Sequence, residues 1–258
     1  MKILATYNIK GGVGKTATAV NIGYLAVRDG YRVLLWDLDP QGAASFLFRI
    51  KPRVKGGGKA LIRGRRALDD AIKGTDFDGL DLLPADFTYR NLDLVLDAAK
   101  QPAKRLASLL APLRAEYDIV VLDCPPSISL LSESVLHAAD LLLVPLIPTT
   151  LSVRTLDQLT EFVAGFNGHQ PDILAFFSML DRRKKLHADI VRDLPAQRQD
   201  VATAAIPALS VIEQMSVRRA PVTAFAPRTA AARQYRELWR EARERARLKA
   251  PPGQAGTA

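Results

Sequence analysis

Five short apolar runs recur along the chain, at residues 3–7, 31–36, 118–123, 141–144 and 173–177. Each is apolar at consecutive positions, not at alternate ones. That pattern predicts strands buried on both faces. Amphipathic stretches lie between them, and the clearest predicts a helix over 15–29, directly after the first strand. Turn residues close two of the runs, Asp37-Leu38-Asp39-Pro40 after the second and Pro125-Pro126 after the third. Buried strands alternating with helices predict an α/β fold, a doubly wound, mostly parallel sheet flanked by helices.

Two segments depart from this rhythm. Residues 49–66 carry eight Lys or Arg, no acid, and Gly56-Gly57-Gly58. They read as a mobile basic loop inserted after the second strand; a flexible surface insertion without a partner is the plainer alternative. Residues 231–248 read as a helix with Ala231, Tyr235, Leu238, Trp239, Ala242 and Ala246 on one face. Small residues and aromatics in that stripe favour core packing over membrane binding. One domain over 1–250 and a disordered tail over 251–258 are expected.

Composition narrows the class. No apolar run approaches the ~18 residues of a membrane span. The first strand runs straight into a motif and is too short for a signal peptide. A cytoplasmic protein is expected, consistent with Cys124 as the single cysteine, which forbids an internal disulfide. The formal net charge of +9 points to a polyanionic partner, nucleic acid or an anionic membrane, against a merely solvated basic surface.

The candidate chemistry begins after the first strand, at Lys10, Gly11, Gly12, Val13, Gly14, Lys15 and Thr16. The general phosphate-loop pattern asks for Gly, four residues, then Gly-Lys-Ser/Thr. Ile9 occupies the first Gly position, and Lys10-Gly11-Gly12 takes over. Glycines let backbone N–H groups converge on phosphate, and the following helix adds its positive end. Lys15 is expected on the β- and γ-phosphates and the Thr16 hydroxyl on Mg²⁺. Lys10, a second lysine with another approach direction, could act across a subunit interface. Asp37 and Asp39, two apart at a strand end, could point together, one of them orienting the attacking water. Asp123 ends the third strand as a metal-binding carboxylate. Cys124 reads as a small buried residue.

These residues resemble the ParA/Soj family of partition ATPases, in the deviant Walker A group of P-loop proteins that also holds the MinD type. The matching pieces are Lys10 to Thr16, Asp37-Leu38-Asp39-Pro40-Gln41-Gly42, residues 118–127, Ile206-Pro207, Pro221-Val222 and residues 227–238. The resemblance implies ATP and Mg²⁺ as cofactors and an ATP-sandwich homodimer with Lys10 reaching the partner's nucleotide. It implies Asp39 as the carboxylate needed for hydrolysis, Asp37 as its neighbour, and Thr16 with Asp123 as the metal site. It places Ala17 at the end of the nucleotide loop and adenine contacts near Ser178, Met179 and Pro207. The family's Arg-rich turn after Pro207 is replaced by neutral Ala208-Leu209-Ser210. Candidate DNA contacts are therefore Arg182, Arg183, Lys184, Lys185, Arg218 and Arg219, with residues 49–66 as a further possibility.

The function implied is a nucleoid-associated switch that dimerises with ATP, binds DNA without sequence preference and hydrolyses ATP when a ParB-like adaptor or cargo protein stimulates it. Slow intrinsic turnover is expected. A MinD-like membrane-associated ATPase and a relative serving a secretion or chemoreceptor cargo are the alternatives. An iron–sulfur carrier would need two thiolates per subunit, and the chain has one.

Overall fold

The computed structural model describes residues 1–64, 68–166 and 168–251. Among these, eight strands form one sheet: β1 (Lys2–Thr6), β2 (Val33–Asp37), β3 (Lys73–Gly74), β4 (Leu80–Leu83), β5 (Ile119–Asp123), β6 (Leu141–Leu146), β7 (Asp172–Leu180) and β8 (Val201–Pro207). The spatial order is β3-β4-β2-β5-β1-β6-β7-β8. Every neighbouring pair is parallel except β3 with β4. The chain goes from β1 out to β2 and β4, returns to insert β5 between β1 and β2, then adds β6 to β8 on the other side, which puts the ligand crevice at the C-terminal ends of the central strands.

The helices are α1 (Lys15–Arg28), α2 (Ala43–Leu47), α3 (Gly57–Ile62), α4 (Leu92–Asp97), α5 (Arg105–Leu110), α6 (Leu130–Ala138), α7 (Thr150–Ala164), α8 (Lys185–Gln197), α9 (Ser210–Arg218), α10 (Val222–Phe225) and α11 (Ala230–Arg245). They divide by sheet face. Ile3, Ala5, Leu34, Trp36, Val120 and Leu122 point to one side, with α3 to α8. Leu4, Val33, Leu35, Ile119, Val121 and Leu143 point to the other, with α1, α2 and α9 to α11. The period of two along each strand sends alternate residues to opposite cores, so both faces must be apolar.

The C-terminal stripe packs as expected. Ala231, Tyr235, Leu238, Trp239, Ala242 and Ala246 are all buried, and the Trp239 indole N–H donates to Asp29 at 2.7 Å. No helix of the described residues is long and apolar enough to cross a membrane. Pro251 is buried, and the Lys249 carbonyl accepts a hydrogen bond from the Tyr31 hydroxyl at 2.8 Å. Residues 252–258 lie outside the described residues.

The segment 49–66, read above as a loop, is helical over Gly57–Ile62. Its apolar positions explain this: Val54, Leu61 and Ile62 are buried among Tyr89, Leu92 and Leu96. The Val54 N–H donates to the Asp86 carboxylate at 2.7 Å. Arg65 and Arg66 lie outside the described residues.

Candidate nucleotide site

The loop between β1 and α1 opens at the C-terminal edge of the sheet. Gly14 caps α1 with φ +94°, a left-handed conformation, and a Cβ there would lie 2.9 Å from the Ser178 hydroxyl. Glycine meets both demands at once. Asn8 fixes the start of the loop. Its side chain is buried, donates to the Pro145 carbonyl at 2.7 Å and accepts from the Lys10 N–H at 2.9 Å. The Lys15 ammonium folds back on the Lys10 carbonyl at 2.9 Å. Burial lowers the Lys15 pKa, and the negative charge of Asp123 is the largest opposing influence.

Three strand ends deliver polar side chains side by side. Thr6 lies opposite Asp123 in the β1–β5 register, and Asp37 lies opposite Asp123 in the β2–β5 register. Both carboxylates are fully buried. Asp37 accepts from the Ser45 N–H at 2.8 Å and the Ser45 hydroxyl at 2.7 Å, all on one oxygen. Asp123 accepts from the Thr6 hydroxyl at 3.3 Å. The other oxygen of each acid, Asp37 Oδ1 and Asp123 Oδ2, has no hydrogen-bond partner among the described residues. Burial raises the Asp37 pKa to about 6. Burial, then the nearby Asp37 charge, raises Asp123 well above the carboxylate range, while the Thr16 and Thr6 hydroxyls oppose the rise. Two desolvated carboxylates with orphaned oxygens call for a cation or protons. A set of hydroxyl and carboxylate oxygens suits a hard ion such as Mg²⁺, which also keeps water and phosphate ligands. The residues present therefore fit that ion.

β2 ends at Asp37, so Asp39 lies beyond the last residue of the strand. Asp39 sits in the turn, partly exposed, and accepts from the Gln41 N–H at 2.9 Å. It remains near enough for its charge to act on Lys15, Asp37 and Asp123. Cys124 is buried, and desolvation pushes its thiol pKa up.

The expected adenine residues come together. Met179 and Pro207 line one cavity with Gly14, Ala17, Ser178 and Tyr235. Met179 has φ +55°, uncommon for a side chain of its size. The basic candidates are not all equivalent. Arg182, Lys184 and Lys185 are exposed, but the Arg183 guanidinium is bidentate with Asp181, both bonds 2.9 Å. Arg218 and Arg219 end α9, and Arg219 stacks on Phe46 at 4.1 Å. The two clusters thus attach to helices on opposite sheet faces.

Thr6, Asn8 and Ser45 escape the sequence reading. Only Asn8 left a trace, a polar residue between an apolar strand and a glycine loop.

A glycine loop on a helix N-terminus, beside two strand-end acids, defines a P-loop nucleotide-binding protein. A family model described as an AAA domain matches residues 1–175. The chain is 32% identical over 255 residues to the chromosome partitioning protein ParA of Caulobacter vibrioides, covering 96% of each chain. It is 31% identical over 246 residues to the sporulation initiation inhibitor protein Soj of Bacillus subtilis, covering 93% of this chain and 97% of Soj. The chain belongs to the ParA/Soj family. Among solved structures, cobyrinic acid a,c-diamide synthase of Mycobacterium smegmatis with bound ADP and magnesium superposes with a TM-score of 0.78 at 27% identity, over 97% of this chain and 98% of that one. A variant of Cyanothece McdA in complex with ATP has the same fold, with a TM-score of 0.79 at 22% identity over 96% of this chain and 97% of that one.

Proposed function

We propose that this chain is a Mg²⁺-dependent ATPase that works as a partition or positioning switch. The paired buried acids at the mouth of the phosphate loop, each with one orphaned oxygen, carry this reading. The loop N–H groups and Lys15 hold the β- and γ-phosphates. Thr16 and Asp123 would hold Mg²⁺, which when bound neutralises charge on those phosphates, and Asp37 supports Asp123 from the adjacent strand. Asp39, at the turn where solvent enters, orients the attacking water. Adenine occupies the cavity of Met179 and Pro207, with Ala17 on its floor.

Lys10 lies on the same loop but, unlike Lys15, is partly exposed. It serves the nucleotide of a second copy, so ATP drives homodimerisation. The dimer binds DNA without sequence preference through Arg182, Lys184, Lys185, Arg218 and Arg219. Arg183, expected among these, has its charge engaged by Asp181. A ParB-like adaptor or cargo protein stimulates hydrolysis and release, at the nucleoid in the cytoplasm. The burial of the α11 stripe leaves that helix no apolar face for the membrane-associated alternative.

The test is retention on random-sequence duplex DNA with ATP, with ADP and without nucleotide, alongside phosphate release. Retention with ATP alone, lost as salt rises, is expected. Retention indifferent to nucleotide would sink the switch.

A further inference from the structure

Between residues 49 and 74 the chain carries nine Lys or Arg against two Asp, so about a tenth of its length holds +7 of its formal +9. Four of these cations, Lys51, Arg53, Lys55 and Lys73, line one concave basin of about 820 Å³. All four are exposed. Asp70 also lines it, which leaves the four lining cations in clear excess. Several arginines of the chain do have carboxylate partners: Arg32 with Asp118, Arg49 with Asp76, Arg198 with Asp157 and Asp200, Arg240 with Glu237 and Glu244. Among the described residues, none of the four basin side chains has a carboxylate partner. Four uncompensated cations around a hollow repel one another, so a polyanion that enters gains attraction and relieves repulsion.

The walls are built, not loose. Asp86 holds the Val54 N–H at 2.7 Å on one side. Pairing of β3 with β4 sets Lys73 on the other. Pro52 seats so closely on Gly42 that a Cβ at Gly42 would lie 2.9 Å from it. The basin is therefore anchored to the turn that carries Asp39.

We propose that this basin binds the phosphodiester backbone of duplex DNA, as a surface separate from residues 182–185 and 218–219. The proposal rests on the DNA-binding reading above. Concavity favours a duplex over a bilayer: a phosphate ridge enters a hollow, whereas a flat headgroup plane meets only its rim. Of the apolar lining residues, Val54 and Ala71 are buried and Ile50 is half-buried against the core, leaving no exposed apolar side chain to insert among lipids.

The test uses the full chain with ATP and Mg²⁺ on random-sequence duplex across a NaCl series. One variant combines Lys51→Gln, Arg53→Gln, Lys55→Gln and Lys73→Gln; a second combines Arg182→Gln, Lys184→Gln and Lys185→Gln. Each phosphate contact contributes about 0.9 to the slope of log K against log salt. The basin variant is expected to bind more weakly, with a slope shallower by about 3–4, at unchanged basal ATP turnover and melting temperature. If the fourfold variant unfolds, Lys51→Gln with Lys73→Gln is expected to show about half that change. A basin variant with wild-type affinity and slope, while the second variant loses both, overturns the basin and leaves DNA binding standing. A wild type that binds no duplex in any nucleotide state overturns both. Basin-dependent binding to phosphatidylserine vesicles, with duplex binding untouched, assigns the surface to membranes and overturns it as well.

Discussion

Asp37 and Asp123 face each other across β2 and β5, both fully buried, each with one carboxylate oxygen unpartnered. The pair cannot hold two negative charges in a dry site at low cost. In the protein without ligand the Asp37 pKa rises to about 6 because of burial. The sign follows: the folded state holds this proton more tightly than the unfolded chain, whose carboxylate titrates near 4. The stabilisation is full below about pH 4 and is lost as pH rises through about 6.

Asp37→Asn removes that dependence. Melting temperatures of wild type and variant, compared at pH 5 and pH 8 without nucleotide, should diverge in the variant's favour at the higher pH. The ceiling is about 3 kcal/mol for a shift of about two units. Parallel profiles would show that Asp37 carries no such proton. Mg²⁺ with ATP should raise the wild-type melting temperature at pH 8 and narrow the gap, since cation binding replaces the missing protons.

Ser45 is the positioning residue for Asp37. Its hydroxyl donates to Asp37 and accepts the Ala85 N–H at 2.9 Å, so it ties α2 to two strand ends. Ser45→Ala leaves the Ala85 N–H unpaired and removes the hydroxyl bond to Asp37, leaving only the backbone N–H of residue 45 on that carboxylate. A loss of about 1–3 kcal/mol is expected, read by urea denaturation. Turnover should fall while Ser45→Thr restores part of it; equal turnover in all three proteins would remove Ser45 from the site.

That residue shows where sequence stops being informative. The strands β1, β2, β5, β6 and β7 were legible because burial on both faces demands consecutive apolar residues. β3 is an exposed Lys-Gly pair, β4 is interrupted by Asp81, and β8 is rich in Ala, so each looks like something else. The helix at Gly57–Ile62 was hidden behind three glycines and a run of cations. At the site, Lys10 to Thr16 are adjacent in sequence, which makes a motif. Thr6 meets Asp123 across 117 positions, and Asn8 meets Pro145 across 137. Contacts that long leave no local spacing to read. Arg183 is the opposite case: its partner Asp181 lies only two positions away, so that pair is local and within reach of a sequence reading.

Lys10 and Lys15 should separate when each is changed to Ala. Lys15 is buried on the loop and bonded to the Lys10 carbonyl. Its removal takes away a loop cation that feels the Asp123 charge. Lys15→Ala should lose nucleotide binding in a fluorescent-ATP titration, by tenfold or more if one charge-assisted contact of about 1.5–3 kcal/mol is lost. Lys10→Ala should bind ATP within about threefold of wild type, a difference under 1 kcal/mol. It should then remain monomeric in sedimentation with ATP. An ATP dimer of normal stability in Lys10→Ala would refute action across an interface.

Asp39 differs from the other two acids in being partly exposed and outside the strand. Among the described residues only its Oδ1 has a bond, from the Gln41 N–H in its own turn. That leaves the second oxygen available to a water at the crevice, without the burial that keeps Asp37 and Asp123 dry. Asp39→Ala should therefore leave nucleotide affinity and the fold intact. Loss of a water-orienting carboxylate is expected to cut turnover by about 10²-fold or more. Because the ATP state is no longer discharged, the variant should accumulate as an ATP-bound dimer, visible by light scattering, and stay on DNA. Asp39→Asn should rescue the turn, by accepting from Gln41, but not the hydrolysis. Hydrolysis at the wild-type rate in Asp39→Ala would return the role to Asp37, whose bonded, buried geometry suits it less.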